Sequence, residues 1–147
     1  IYDNLNETLS RDADVALVLL GANDMYPAAM PATGQNGVFR PVDPNQAATK
    51  LEGLVTEIKR RKPMLKIVVA SLLRLRSSEG PGTWMQLNAK ARQLGEASAT
   101  DNVFFADLHA VTFTSSDFVD DIHPSASGGE KTAQGWMPTL RNVLGPP

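Results

Sequence analysis

Three short apolar runs punctuate the chain: Asp14 to Leu20 (DVALVLL), Lys66 to Leu72 (KIVVASL) and Asn102 to Leu108 (NVFFADL). Each is too brief for a helix and rich in branched or aromatic residues, so each predicts a strand. The runs are nearly continuous rather than alternating. Both faces of each strand should therefore be covered, as in a parallel sheet layered with helices.

The segments between them carry a helical period. Leu51, Leu54, Val55 and Ile58 mark one face of a helix opened by Asp43-Pro44-Asn45-Gln46, which offers a cap, a proline at the first helical position and a Gln three residues after the cap. Pro63 predicts its end near Lys62. Thr83-Trp84-Met85-Gln86 reads as a second capping box before Leu87, Ala91 and Leu94. Ser127-Gly128-Gly129-Glu130 reads as a third, starting a helix towards Leu144 that Pro138 should kink or divide. With a helix-like opening over residues 2–11, the order is helix, strand, helix, strand, helix, strand, helix. That order predicts an α/β fold, a parallel sheet with right-handed crossovers, in a single domain over residues 1–147. In such sheets ligands bind beyond the carboxyl ends of the strands.

Composition narrows the class without changing this picture. At 147 residues, 42% hydrophobic and 20% charged, the chain has ordinary globular values and room for one core. A formal charge of −2 gives no electrostatic footprint for nucleic acid or an anionic membrane. The one basic run, Lys59 to Lys62, sits at a predicted helix end, where cations favour the macrodipole. The longest apolar stretch, Val15 to Leu20, falls far short of the roughly 18 residues that span a bilayer. Absence of cysteine excludes disulfides, thiolate metal sites and cysteine nucleophiles. Two histidines with scattered acids form no recognisable metal-ligand spacing, so neither a metal nor another cofactor is expected. The chain opens on Ile1 with no signal-peptide pattern, which reads as an N-terminus processed or truncated.

The strand ends hold the candidate chemistry. Gly21-Ala22-Asn23-Asp24 follows the first strand and leads into a Pro/Gly-rich connection over residues 26–42, longer than most neutral loops. Asn23 offers a side-chain N–H that is un-ionised at any relevant pH and suits an oxyanion. Gly21 and Asn23 equally suit a plain turn. After the third strand, Asp120-Asp121-Ile122-His123-Pro124 places an imidazole beside carboxylates. A general base needs its tautomer fixed by a carboxylate, with the other ring nitrogen left to work. Spacing alone leaves open which Asp partners His123, and a loop histidine with two helix-entry acids is the plainer alternative. His109 competes as the base, but nothing near it in sequence is placed to orient it.

A strand followed by Gly-x-Asn-Asp, two βα units, and Asp-x-x-His-Pro before the last helix resembles the SGNH hydrolases, or GDSL esterases. Gly21 to Asp24 resembles that superfamily's third conserved block and Asp120 to His123 its fifth. DVALVLLGANDM at 14–25, the Leu87-Asn88 helix leading into NVFFADLHA, and DDIHPSASGGEKTAQGW at 120–136 are most similar to the secreted carbohydrate-esterase type, including acetyl xylan esterases. Gly129 stands where those relatives commonly carry an aromatic. The resemblance implies a three-layer α/β/α sandwich, a flavodoxin-like arrangement around a five-stranded sheet. It also implies a serine ester hydrolase, extracellular, acting without cofactor on O-acetyl groups of a polysaccharide or small ester. Asn23 would donate to the oxyanion, Gly21 would permit the turn that places Asn23, His123 would be the base and Asp120 its orienting partner.

The family's nucleophile belongs to a Gly-Asp-Ser block at the end of its first strand, and no such triplet occurs here. The expectation is that two strands and the serine belong to an absent N-terminal segment, or to another chain. Ser71, near the carboxyl end of the second run, is the weak candidate for a substitute nucleophile, while Ser125 and Ser127 read as turn and cap residues. Without a nucleophile the remaining groups should be inactive or nearly so, because triad members act as a unit. A carbohydrate-binding module with a silent site is the alternative. If the sheet keeps only these three strands, the edge beside Asp14 to Leu20 should be exposed and apolar.

Overall fold

The computed structural model describes residues 5–22, 43–74, 81–97, 102–120 and 123–145. The chain runs through α1 (Leu5–Ser10), β1 (Val15–Val18), α2 (Pro44–Arg61), β2 (Lys66–Ala70), α3 (Pro81–Ala97), β3 (Val103–Ala106) and α4 (Ala126–Leu144). Two short 3-10 turns, Leu108–Ala110 and Ser115–Asp117, lie between β3 and α4. The three strands are parallel in the order β1-β2-β3, with Ala16 opposite Ile67 and Val68 opposite Phe104.

The continuous apolar pattern of β2 has the expected consequence. Ile67, Val68 and Val69 are fully buried, and alternate residues feed opposite cores. Ile67 and Val69 join Leu51, Leu54, Val55 and Ile58 of α2 and Leu87 and Ala91 of α3 on one face. Val68 and Ala70 join Trp136 and Val143 of α4 on the other. The result is a three-layer α/β/α arrangement. At β1, whose hydrogen-bonded neighbour among the described residues is β2, Leu17 is half exposed, the apolar edge anticipated from the sequence.

Helix starts show where local signals suffice. Asp43 caps α2 as expected, its carboxylate accepting the Asn45 N–H at 3.0 Å, and the helix ends within a residue of the expected place. Two starts differ. α3 begins at Pro81, so Thr83 lies inside the first turn rather than capping it. α4 is capped by Ser125, not Ser127, with Gly128 N–H reaching the Ser125 hydroxyl at 3.4 Å. Nor does Pro138 divide α4, which is continuous to Leu144. Trp136 and Val143, on either side of the proline, are both buried against the sheet, so packing holds the helix across the lost hydrogen bond.

The direction of α4 positions the candidate site. Lys66, the first residue of β2, donates from Nζ to the Val143 carbonyl at 2.7 Å, so the C-terminal end of α4 lies at the amino edge of the sheet. α4 therefore runs against the strands, and its N-terminus, with the loop before it, lies towards the carboxyl edge. That is the edge at which Gly21 follows β1.

Candidate active site

The loop from Asp117 to Ser125 is built to hold one imidazole. Its two limbs close on each other: Ser125 N–H donates to the Asp117 carbonyl at 2.8 Å, Val119 N–H donates to the His123 carbonyl at 2.9 Å, and Phe118 bridges Pro124. At the tip, Asp120 grips His123 twice. One carboxylate oxygen accepts the His123 backbone N–H at 2.7 Å, and the other meets Nδ1 at 2.7 Å. Spacing left the partner of His123 open between two acids, and the structure gives it to Asp120. Asp121 lies outside the described residues. With Nδ1–H held by a carboxylate, Nε2 is the nitrogen that can accept a proton, the tautomer a general base requires. Both side chains are more than half exposed, so their pairing is a matter of orientation rather than stability.

At the entry to this loop stands a buried carboxylate that sequence reasoning missed. Asp117 is 2% exposed, and its carboxylate accepts Lys131 Nζ at 2.6 Å, Thr114 N–H at 2.6 Å, the Thr114 hydroxyl at 2.8 Å and the Ser127 hydroxyl at 2.9 Å. Lys131 first, then Thr114 and Ser127, hold its carboxyl well below the ordinary carboxylate range. The consequence for acid stability has a definite sign. Above the ordinary value of 3.8 the contribution is fully present, and below it the unfolded chain takes up a proton that the folded chain refuses, so stability is lost as pH falls. Glu57, which Arg60 and then Arg61 hold down to about 2, acts in the same direction. Urea unfolding should show stability falling as pH drops below the ordinary carboxylate values of 3.8 and 4.5, and Asp117→Asn should flatten the fall.

The other candidates separate by geometry. Gly21 has φ +104°, a left-handed conformation that favours glycine, and a Cβ there would sit 2.4 Å from Leu87 Cδ2. The turn after β1 is therefore pressed against α3. Asn23 lies outside the described residues. Ser71 is 1% exposed, donates to Asp107 at 3.1 Å and accepts the His109 backbone N–H at 2.9 Å. Those bonds tie the carboxyl end of β2 to the chain just after β3, a structural arrangement that weighs against a nucleophile. Ser71→Ala should cost about 1–3 kcal/mol in chemical unfolding, because it strands a buried N–H. It should leave turnover per folded molecule unchanged. His109 is held by its backbone in that same tie, and no carboxylate meets its ring among the described residues. Arg60 and Arg61 of the basic run both pair with Glu57, one turn back in α2, and Arg61 also donates to Asn6 of α1, so the run's arginines are engaged within the fold. No helix among the described residues is long and apolar enough to cross a membrane, and no group of three potential metal ligands occurs among them.

The model of the GDSL-like lipase/acylhydrolase family matches residues 2–131. The chain belongs to that family. A multidomain esterase of Ruminococcus flavefaciens is 30% identical over 63 residues, 43% of this chain and 8% of that protein. The Clostridium thermocellum family 3 carbohydrate esterase is 25% identical, with a TM-score of 0.65 over 97% of this chain and 66% of its own. A candidate GDSL-like lipase from Parabacteroides merdae, 22% identical, shares the fold with a TM-score of 0.60 over 92% of this chain and 66% of its own. This GDSL-family chain thus spans about two thirds of the solved relatives and a small part of the multidomain esterase. Its parallel sheet between helical layers is their α/β fold.

Proposed function

We propose that the chain supplies the base and oxyanion donor of a serine ester hydrolase that removes O-acetyl groups from a carbohydrate, with the nucleophilic serine outside residues 1–147. The observation that carries this reading is the double grip of Asp120 on His123, which orients the ring and leaves Nε2 to work. The serine hydroxyl attacks the acetyl carbon while His123 takes its proton. The tetrahedral oxyanion receives the Asn23 side-chain N–H. Collapse expels the sugar alcohol, which recovers the proton from His123, and water then repeats the sequence on the acyl-enzyme. Family membership supports the esterase chemistry, and the likeness to a carbohydrate esterase supports the acetylated-glycan substrate.

The test uses the full-length protein that carries this chain. It should release acetate from acetylated xylan and hydrolyse p-nitrophenyl acetate faster than long-chain esters, and Asn23→Ala should lower kcat by about 10²–10³-fold. Glycan binding with no turnover would instead identify a silent binding module. Preference for long acyl chains would remove the carbohydrate assignment.

A further inference from the structure

We propose that Asp117, a buried carboxylate paired with the partly exposed Lys131, is a positioning residue that sets where His123 stands relative to the ester. The inference rests on the reading of His123 as the general base and adds a residue that acts through it.

The argument begins with what holds the loop. The side chains of His123 and Asp120 are both more than half exposed, so burial in the core does not place them. What places them is the closure of residues 117–125, made by backbone bonds at its base and tip. Those bonds fix the loop's internal shape. Its attitude to the rest of the fold is set by Phe118, buried against Phe113, by the Ser125 hydroxyl on the Ser116 carbonyl at 2.9 Å, and by the charged tie at Asp117. The Asp117 carboxylate ties the loop entry backward to Thr114 and forward to Ser127 and Lys131, in the first two turns of α4. Its carbonyl presses on the same helix, since a Cβ at Gly128 would lie 2.0 Å from that oxygen. α4 is itself anchored to the sheet by Lys66 at Val143 and by the Thr139 hydroxyl on the Phe105 carbonyl at 2.9 Å.

A continuous path of short bonds therefore runs from the sheet through α4 and Asp117 to His123. Asp117→Asn keeps the size but loses the charge that draws in Lys131. The loop should then settle at a shifted angle, and a general base misplaced by about 1 Å can cost on the order of 10²-fold in rate.

The experiment measures kcat per active site in the full-length protein. Active sites are titrated by the stoichiometric burst of p-nitrophenol from diethyl p-nitrophenyl phosphate, and turnover is followed with p-nitrophenyl acetate. Asp117→Asn and Lys131→Met should each lower kcat per titrated site by about 10- to 100-fold with KM little changed. Lys131→Arg, which keeps the charge, should restore it. A merely structural role would reduce the number of titratable sites and leave kcat per site unchanged, and that result would overturn the proposal. If Asp117→Asn does not fold, the Lys131 pair decides alone. His123→Ala, run alongside, separates the two claims. If it retains parental turnover, the base assignment fails and the positioning role with it. If it is inactive while Asp117→Asn and Lys131→Met keep full kcat per site, only the positioning role fails.

Discussion

Replacing His123 with alanine in the full-length protein should lower kcat for p-nitrophenyl acetate by about 10⁴-fold, the upper end of what general acid–base catalysis supplies. The expectation follows from the orientation of the ring. Asp120 accepts both the His123 backbone N–H and Nδ1–H, so loop and imidazole are held together and Nε2 is the ring nitrogen left to take a proton. Removing the ring leaves the serine hydroxyl protonated at neutral pH, and neither Asn23 nor Asp120 can replace the base. Asp120→Asn should cost nearly as much, because an amide in that place favours the wrong tautomer. KM should change little in either variant, since neither side chain holds the remote parts of the substrate. Steady-state kinetics with circular dichroism on the same samples checks this, and the exposure of both residues implies that folding survives.

The largest expected effect on stability belongs to Gly128→Ala. In the first turn of a helix, alanine would ordinarily gain about 0.5–1 kcal/mol over glycine. Here the added Cβ would stand 2.0 Å from the Asp117 carbonyl oxygen and 3.1 Å from Pro124 Cβ. The first obstacle is backbone, held by Ser125 N–H at 2.8 Å, and cannot turn aside. Overpacking of this kind costs about 1–3 kcal/mol and sometimes more. The clash therefore outweighs the propensity gain, and a net loss of about 2 kcal/mol or more is expected in urea unfolding. Gly129→Ala is the internal control. A Cβ there meets nothing within 4 Å, so the same substitution one residue on should stabilise by about 0.5–1 kcal/mol. Because Gly128 bears on Asp117, its variant should also lose activity, while the Gly129 variant should not.

The fold was legible where the signal is local or periodic. All three strands announced themselves as unbroken apolar runs, but only central β2 is buried almost throughout, β1 and β3 being partly covered, and α2 announced its start because Asp43 and Pro44 are adjacent and specific. Capping signals elsewhere were degenerate. Ser125 and Ser127 both qualify as caps of α4, and only the folded structure shows that Ser127 donates to Asp117 instead. Thr83 looked like a cap for α3, yet the helix starts two residues earlier, at a proline pre-set for a first turn.

The same distinction governs the site. Asp120 and His123 lie three residues apart and could be paired by reading along the chain, although choosing between Asp120 and Asp121 needed geometry. Asp117 and Lys131 are separated by a loop and a helix turn, and nothing in their spacing marks a pair. Ser71, the weak candidate, is the converse case. A serine at a strand end looks available in sequence, but it is buried, its proton goes to Asp107 and it accepts the His109 N–H.

The central claim is that this chain holds the base for a serine that lies outside it. Labelling the full-length protein with a fluorophosphonate and locating the adduct by peptide mass spectrometry tests that most directly. One phosphonylated serine outside residues 1–147, its labelling lost in His123→Ala, is the predicted result. An adduct on Ser71 or another serine of this chain, or labelling indifferent to His123, would contradict it.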